Sequence, residues 1–116
     1  MSIRIIRIQD AEGRGPFRPG FSAKWLDDVR NFSLPSVIEE FPKEVRRIQA
    51  TPGYYGCGCR DIDQLRTWFT PAELVRLQIL GYRMVALDAD EVLAESKHQV
   101  LFRRSRPLSE GIEAVS

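Results

Sequence analysis

Apolar positions along this chain change period several times, and the changes divide it into elements. Residues 2–8 (Ser-Ile-Arg-Ile-Ile-Arg-Ile) alternate in a way that predicts a strand. Ile3 and Ile5 share one face and Ile6 and Ile8 the other, so both faces are apolar and the strand is expected to be central and covered on both sides. Arg4 falls on the face of Ile6 and Ile8, and Arg7 on that of Ile3 and Ile5. An arginine on a covered strand needs a carboxylate, a carbonyl or a ligand. Residues 9–20 are dense in Gly and Pro and read as a loop. A helix is predicted over 22–31, capped by Ser22 with a stripe of Trp25, Leu26 and Val29. Pro35 and Pro42 interrupt residues 32–43, leaving short helical turns near 36–41 and 43–49, and Thr51-Pro52-Gly53 is a turn.

The second half is better punctuated. Residues 54–59 (Tyr-Tyr-Gly-Cys-Gly-Cys) form a short extended segment. Asp61 caps a helix with Gln64 three residues on, and the stripe is Ile62, Leu65, Trp68 and Phe69. Thr70 caps a second helix, with Pro71 at its first position and Glu73 completing a capping box; Leu74, Val75, Leu77, Ile79 and Leu80 are expected to make it mostly buried, and Gly81 ends it. Residues 82–87 are a strand with apolar residues on both faces, and Asp88-Ala89-Asp90 is a turn. Asp90 is expected to cap a short helical piece over 91–95, residues 99–103 are the last strand, and the polar residues 105–116 are expected to be a flexible tail beyond a single domain, 1–104. Without regular strand–helix alternation, the order argues for an α+β fold. A small, mostly antiparallel sheet holding 2–8, 82–87 and 99–103 would carry helices packed on it.

Composition narrows the function classes. At 116 residues with 43% hydrophobic content the chain can build one core, and a formal net charge of +1 gives no bulk electrostatic signal for nucleic-acid binding, which is not expected. No apolar run nears the roughly 20 residues that span a membrane, and Arg4 and Arg7 interrupt any signal-peptide core, so the cytoplasm is the expected location. Cys57 and Cys59 are spaced too closely for an unstrained disulfide, and His98 is the only histidine, too few ligands for zinc; two reduced thiols and no metal are expected.

Candidate chemistry concentrates near the first loop. Arg4, Arg7, Arg14 and Arg18 flank Gly13-Arg14-Gly15-Pro16-Phe17-Arg18-Pro19-Gly20. Glycines admit close backbone approach and guanidinium forks match phosphate or carboxylate, so the loop is a candidate anion or nucleotide cradle; its spacing fits neither the P-loop nor the dinucleotide fingerprint. The structural alternative pairs Arg4 and Arg7 with acids such as Asp88 or Asp90. Tyr54 and Tyr55 are candidates for ligand stacking or for packing. Lys97, Arg103, Arg104 and Arg106 form either a solvated edge or a contact for an acidic partner.

The segments Gly-Cys-Gly-Cys-Arg-Asp-Ile-Asp-Gln-Leu-Arg-Thr-Trp-Phe (56–69), Leu-Gly-Tyr-Arg-Met-Val-Ala-Leu-Asp-Ala-Asp (80–90) and Lys-His-Gln-Val-Leu-Phe (97–102), with Arg7 and Gly13–Phe17, resemble small phage and prophage proteins. The layout is in turn similar to compact ADP-ribosyltransferase-like domains. That second resemblance implies an NAD-binding site. Arg7 or Arg4, with Arg14, Gly15 and Phe17 of the loop, would hold the phosphates, Tyr54 or Tyr55 would shape the nicotinamide pocket, and Gln99, with Glu95 upstream, would serve the ribose or the acceptor. The chain departs from that pattern in having no Ser-Thr-Ser segment and in carrying Gln99 where a glutamate is expected. Three functions compete: an NAD-dependent transferase or its fold relative; a non-catalytic binding protein of a mobile element that inhibits a host or defence protein, as anti-CRISPR proteins do; and a structural domain with no ligand.

Overall fold

The computed structural model describes residues 3–17, 36–48 and 51–115. The helix expected over 22–31, with Trp25, and the loop residues Arg18, Pro19 and Gly20 lie outside the described residues. In chain order the elements are β1 (Ile3–Gln9), α1 (Val37–Glu40), α2 (Pro42–Ile48), β2 (Tyr54–Gly58), α3 (Ile62–Arg66), α4 (Pro71–Ile79), β3 (Arg83–Ala89), β4 (Glu91–Glu95), β5 (Val100–Arg104) and β6 (Glu113–Ala114). The class is α+β, as the element order argued.

Local signals place the helices. Asp61 Oδ1 accepts from Gln64 N at 2.7 Å, and the reciprocal capping box of Thr70 and Glu73 opens α4 with Pro71 in its first turn. Gly81, at φ 96°, follows the C-terminus of α4. A second capping box, Ser36 with Glu39, starts α1.

The strands divide differently from expectation. They form two antiparallel three-stranded sheets, ordered β1-β3-β6 and β2-β5-β4. Residues 99–103 therefore do not share a sheet with β1 and β3: β5 is flanked by β2 and β4, with Gly56 opposite Phe102. The two sheets are joined where Ile6 and Cys59 exchange backbone hydrogen bonds, both 2.8 Å. Residues 91–95 are a strand, not a helical piece. Pairing with β5 satisfies the backbone of these residues and sets Glu91 against Arg103 at 2.9 Å. Asp90 caps nothing helical; its Oδ2 accepts from Ser105 N.

The two-sided pattern of β1 is matched by two cores. Ile6 and Ile8 pack with Leu65, Trp68, Phe69, Leu77, Tyr82 and Ala86 on the helical side. Ile5, with Ile3, packs with Leu87, Ala89, Val100 and Phe102 between the sheets. Trp68 and Leu77 are thus core residues, and Trp68 Nε1 also donates to His98 O at 2.7 Å, but α4 is not mostly buried: Val75, Ile79 and Leu80 are exposed, because only one side of the helix packs on the core.

Residues 105–115 are bound to the domain rather than loose. Arg104, only 1% exposed, donates to Asp88 O, Pro107 O and Glu110 O at 2.8–2.9 Å. Gln9 Nε2 donates to Leu108 O at 2.8 Å, and β6 pairs with β3. Buried donors seek carbonyls, and these turns supply them.

Gly56 and Gly58 mark where the sheets approach most closely. A Cβ on Gly58 would stand 2.5 Å from Ile5 Cγ2 and 3.0 Å from Ile6 O; one on Gly56 would collide with Arg7 Nη1. Gly58→Ala is therefore expected to destabilise the chain by about 1–3 kcal/mol through overpacking against backbone, read as a lower urea midpoint. An unchanged midpoint would show that the crossing has slack.

Candidate functional site

The loop after β1 is folded by its own side chains. Asp10 Oδ1 accepts from Glu12 N at 3.0 Å and Arg14 N at 2.9 Å, and Gly13 turns at φ 85°. Burial opposes ionisation of Asp10, but these backbone amides and the Arg14 guanidinium outweigh it and hold its carboxyl below the ordinary value. The turn delivers Gly15, Pro16 and Phe17 against the helical layer, where the Phe17 ring lies 5.8 Å from Trp68, edge-on, and 5.7 Å from Phe69, stacked.

A small cleft of about 80 Å³ opens there, bordered by Arg7, Gly15, Phe17, Cys57, Trp68 and Gln99 among others. Arg7 is the unusual group in it. It is 7% exposed, and its Nη2 reaches Gly13 O at 3.4 Å. Among the described residues its Nε and Nη1 have no hydrogen-bond partner and no carboxylate forms an ion pair with it. Its Cζ lies 5.9 Å from the centroid of Phe102, and Nη1 packs over Gly56. Burial pulls the Arg7 pKa down, while the nearby Cys57 and Asp10 oppose that shift. Gln99, 4% exposed, donates from Nε2 to Glu40 Oε1 at 2.9 Å.

Four of the residues singled out in the sequence therefore meet: Arg7, Gly15, Phe17 and Gln99. The others sit elsewhere. Arg4 is exposed and pairs with Glu113 at 3.2 Å, not with Asp88 or Asp90. Arg14 folds back on Asp10 and Glu12, at 3.2 and 2.9 Å. Glu95 is held by Arg60 through two bonds of 2.7 and 2.8 Å, and that hydrogen bonding keeps its carboxyl below the usual range. Tyr54 is exposed at the start of β2, and the Tyr55 hydroxyl donates to Thr51 O at 2.8 Å. None of these five borders the cleft. Sequence reasoning did not place Cys57 or Trp68 at the site. Gly56 and Gly58 lie against Arg7 and Ile5, and Cys57 and Cys59 both border the cleft. Both thiols are free, Cys57 exposed and Cys59 buried, and burial pushes the Cys59 thiol up to about 12.

A buried guanidinium thus borders an aromatic-walled cleft on a small α+β scaffold of two antiparallel sheets. The chain belongs to the bacteriophage T4 Y00F protein family, whose model matches residues 1–114, so the resemblance to phage proteins is borne out. No curated protein and no solved structure matches the chain. Among the described residues, no helix is long and apolar enough to cross a membrane.

Two outcomes follow from this geometry. Arg7→Met keeps the packed stem and removes a desolvated, poorly partnered charge, so the urea midpoint should stay or rise, by up to about 1–3 kcal/mol. A loss of that size would mean the guanidinium is held by the fold. For Asp10, a folded-state pKa below the ordinary 3.8 stabilises the loop above the unfolded-state value, and that contribution is lost as pH falls through the folded one. The amide resonances of Glu12 and Arg14 should then titrate with a midpoint below 3.8; a midpoint at or above it would show that the loop bonds do not favour the carboxylate.

Proposed function

We propose that this phage protein acts by binding rather than by catalysis, its cleft receiving a carboxylate or similar anionic group carried on an apolar or aromatic arm. The target belongs to a host or defence protein in the bacterial cytoplasm. The observation that carries this is Arg7, nine-tenths buried with Nε and Nη1 unpartnered among the described residues, beside the rings of Phe17 and Trp68. A guanidinium costs much to desolvate, and an anion entering beside it offsets that cost with charge-assisted hydrogen bonds. The rings supply apolar contact for whatever bears the charge.

A second reading, an NAD-binding ADP-ribosyltransferase-like domain, is favoured by the meeting of Arg7, Gly15, Phe17 and Gln99 at one cleft. Two facts weigh against it. The cleft holds about 80 Å³, where ligand and cofactor pockets usually hold about 300–1,000 Å³. Glu95, the second catalytic candidate, is committed to Arg60 and does not border the cleft.

Thermal unfolding with panels of small ligands separates the readings. Benzoate and phenylacetate should raise the melting temperature and the neutral isosteres benzamide and benzyl alcohol should not; a ligand at 100 times its dissociation constant adds about 2.7 kcal/mol. Arg7→Met should abolish the response. Stabilisation by NAD or ADP-ribose, with none by the aromatic carboxylates, would favour the cofactor reading instead, and Gln99→Ala should then spare binding while lowering any turnover.

A further inference from the structure

Cys57 is an exposed thiol on the border of the same cleft, and no step of the binding reading uses it. It lies close enough to Arg7 for the two to interact electrostatically. Cys59, two residues on and on the same border, is buried, and its carbonyl and amide are fixed to Ile6. The pair thus consists of one accessible thiol and one shielded thiol within a single site.

We propose that Cys57 is a site of reversible mixed-disulfide formation with anionic low-molecular-weight disulfides, glutathione disulfide being the natural representative, and that Arg7 selects the anionic reagent by its carboxylates. The inference rests on the reading of the cleft as open to an anionic group. In the step itself the Cys57 thiolate attacks one sulfur of the disulfide. A new sulfur–sulfur bond forms, the old one breaks, and the departing glutathione thiolate takes up a proton in place of the one Cys57 released to solvent. No net oxidant is consumed beyond the disulfide, and a free thiol reverses the reaction. The capped cysteine occupies the border of the cleft and competes with any other ligand, so the redox state of the surroundings would gate binding.

Three features of the site favour this chemistry. The attacking sulfur is exposed, which exchange requires. The neighbouring guanidinium has N–H groups without a partner among the described residues, in surroundings with little water to screen it. The second thiol is buried and its ionisation opposed, so it is a poor resolving group for the adduct.

The test compares two reagents on the full chain: glutathione disulfide, which is net negative, and 2-hydroxyethyl disulfide, which is uncharged. Intact-mass and peptide mass spectrometry follow the rate and position of modification. The same chain unfolded in urea supplies the reference ratio of the two rates. In low salt the folded chain should gain one glutathionyl group, on Cys57. Its preference for the anionic reagent should exceed the unfolded ratio by about tenfold. That excess should shrink in about 1 M salt and vanish in Arg7→Met. The salt series needs only the wild-type chain, so it decides the matter even if the variant does not fold. Modification at Cys59, no modification, or a folded ratio equal to the unfolded one would each overturn the inference. Failure of the binding reading is seen separately, as the absence of melting-temperature shifts with benzoate and phenylacetate.

Discussion

The structure depends on how closely β1 passes over β2. Residues 5, 6 and 7 perform three tasks in sequence. Ile5 lies against Gly58 and fills the space between the sheets, Ile6 turns its side chain to the helical core while its backbone bonds Cys59, and Arg7 lies across Gly56 toward Phe102. A side chain at 58 would press on the backbone of β1, and one at 56 would displace the Arg7 guanidinium. Each sheet has three strands, and small sheets need packing on a hydrophobic face to persist. The crossing gives each sheet its partner and gives β1 two buried faces. The cleft is a by-product of the same contact: it lies where the β1 loop and the helical layer meet this crossing.

What was legible in the chain was what local chemistry determines. The alternation in residues 3–8 specified two covered faces, and two cores are present. The Asp61 and Thr70 caps, Pro71 and Gly81 bracketed the helices because capping is satisfied within a few residues. Pairing across the chain was not legible. Glu91–Glu95 has the residues of a helix and becomes a strand because β5 lies beside it, and nothing within those five residues announces β5. The polar composition of residues 105–115 suggested looseness, yet what binds them is a set of backbone carbonyls turned toward Arg104 and Gln9, and carbonyls leave no mark in a sequence.

The site follows the same division. Arg7, Gly15, Phe17 and Gln99 stood out by residue type and do meet. Arg4 and Arg14 stood out for the same reason and do not join them. Arg14 is taken by acids two and four residues away in its own loop, and Arg4 by Glu113, which only the fold brings near. Parity along β1 separates the two strand arginines: position 7 points between the sheets with Ile3 and Ile5, whereas position 4 lies near the end of the strand on the opposite face, where the helical layer does not cover it.

Two buried arginines of the same chain differ in how their guanidinium groups are satisfied. Arg104 is 1% exposed and its guanidinium donates three bonds of 2.8–2.9 Å to carbonyls of residues 88, 107 and 110, leaving only Nη2 without a partner. Those bonds do structural work, fastening the C-terminal residues to β3. Arg7 is nearly as buried and has, among the described residues, one bond of 3.4 Å. A charge held that way is retained against a desolvation cost of several kcal/mol, which a methionine of similar shape would avoid. Among the described residues, carbonyls surround the guanidinium of Arg104 but not that of Arg7, and a cleft borders Arg7 instead. The proposal that Arg7 receives an anionic group rests on that difference.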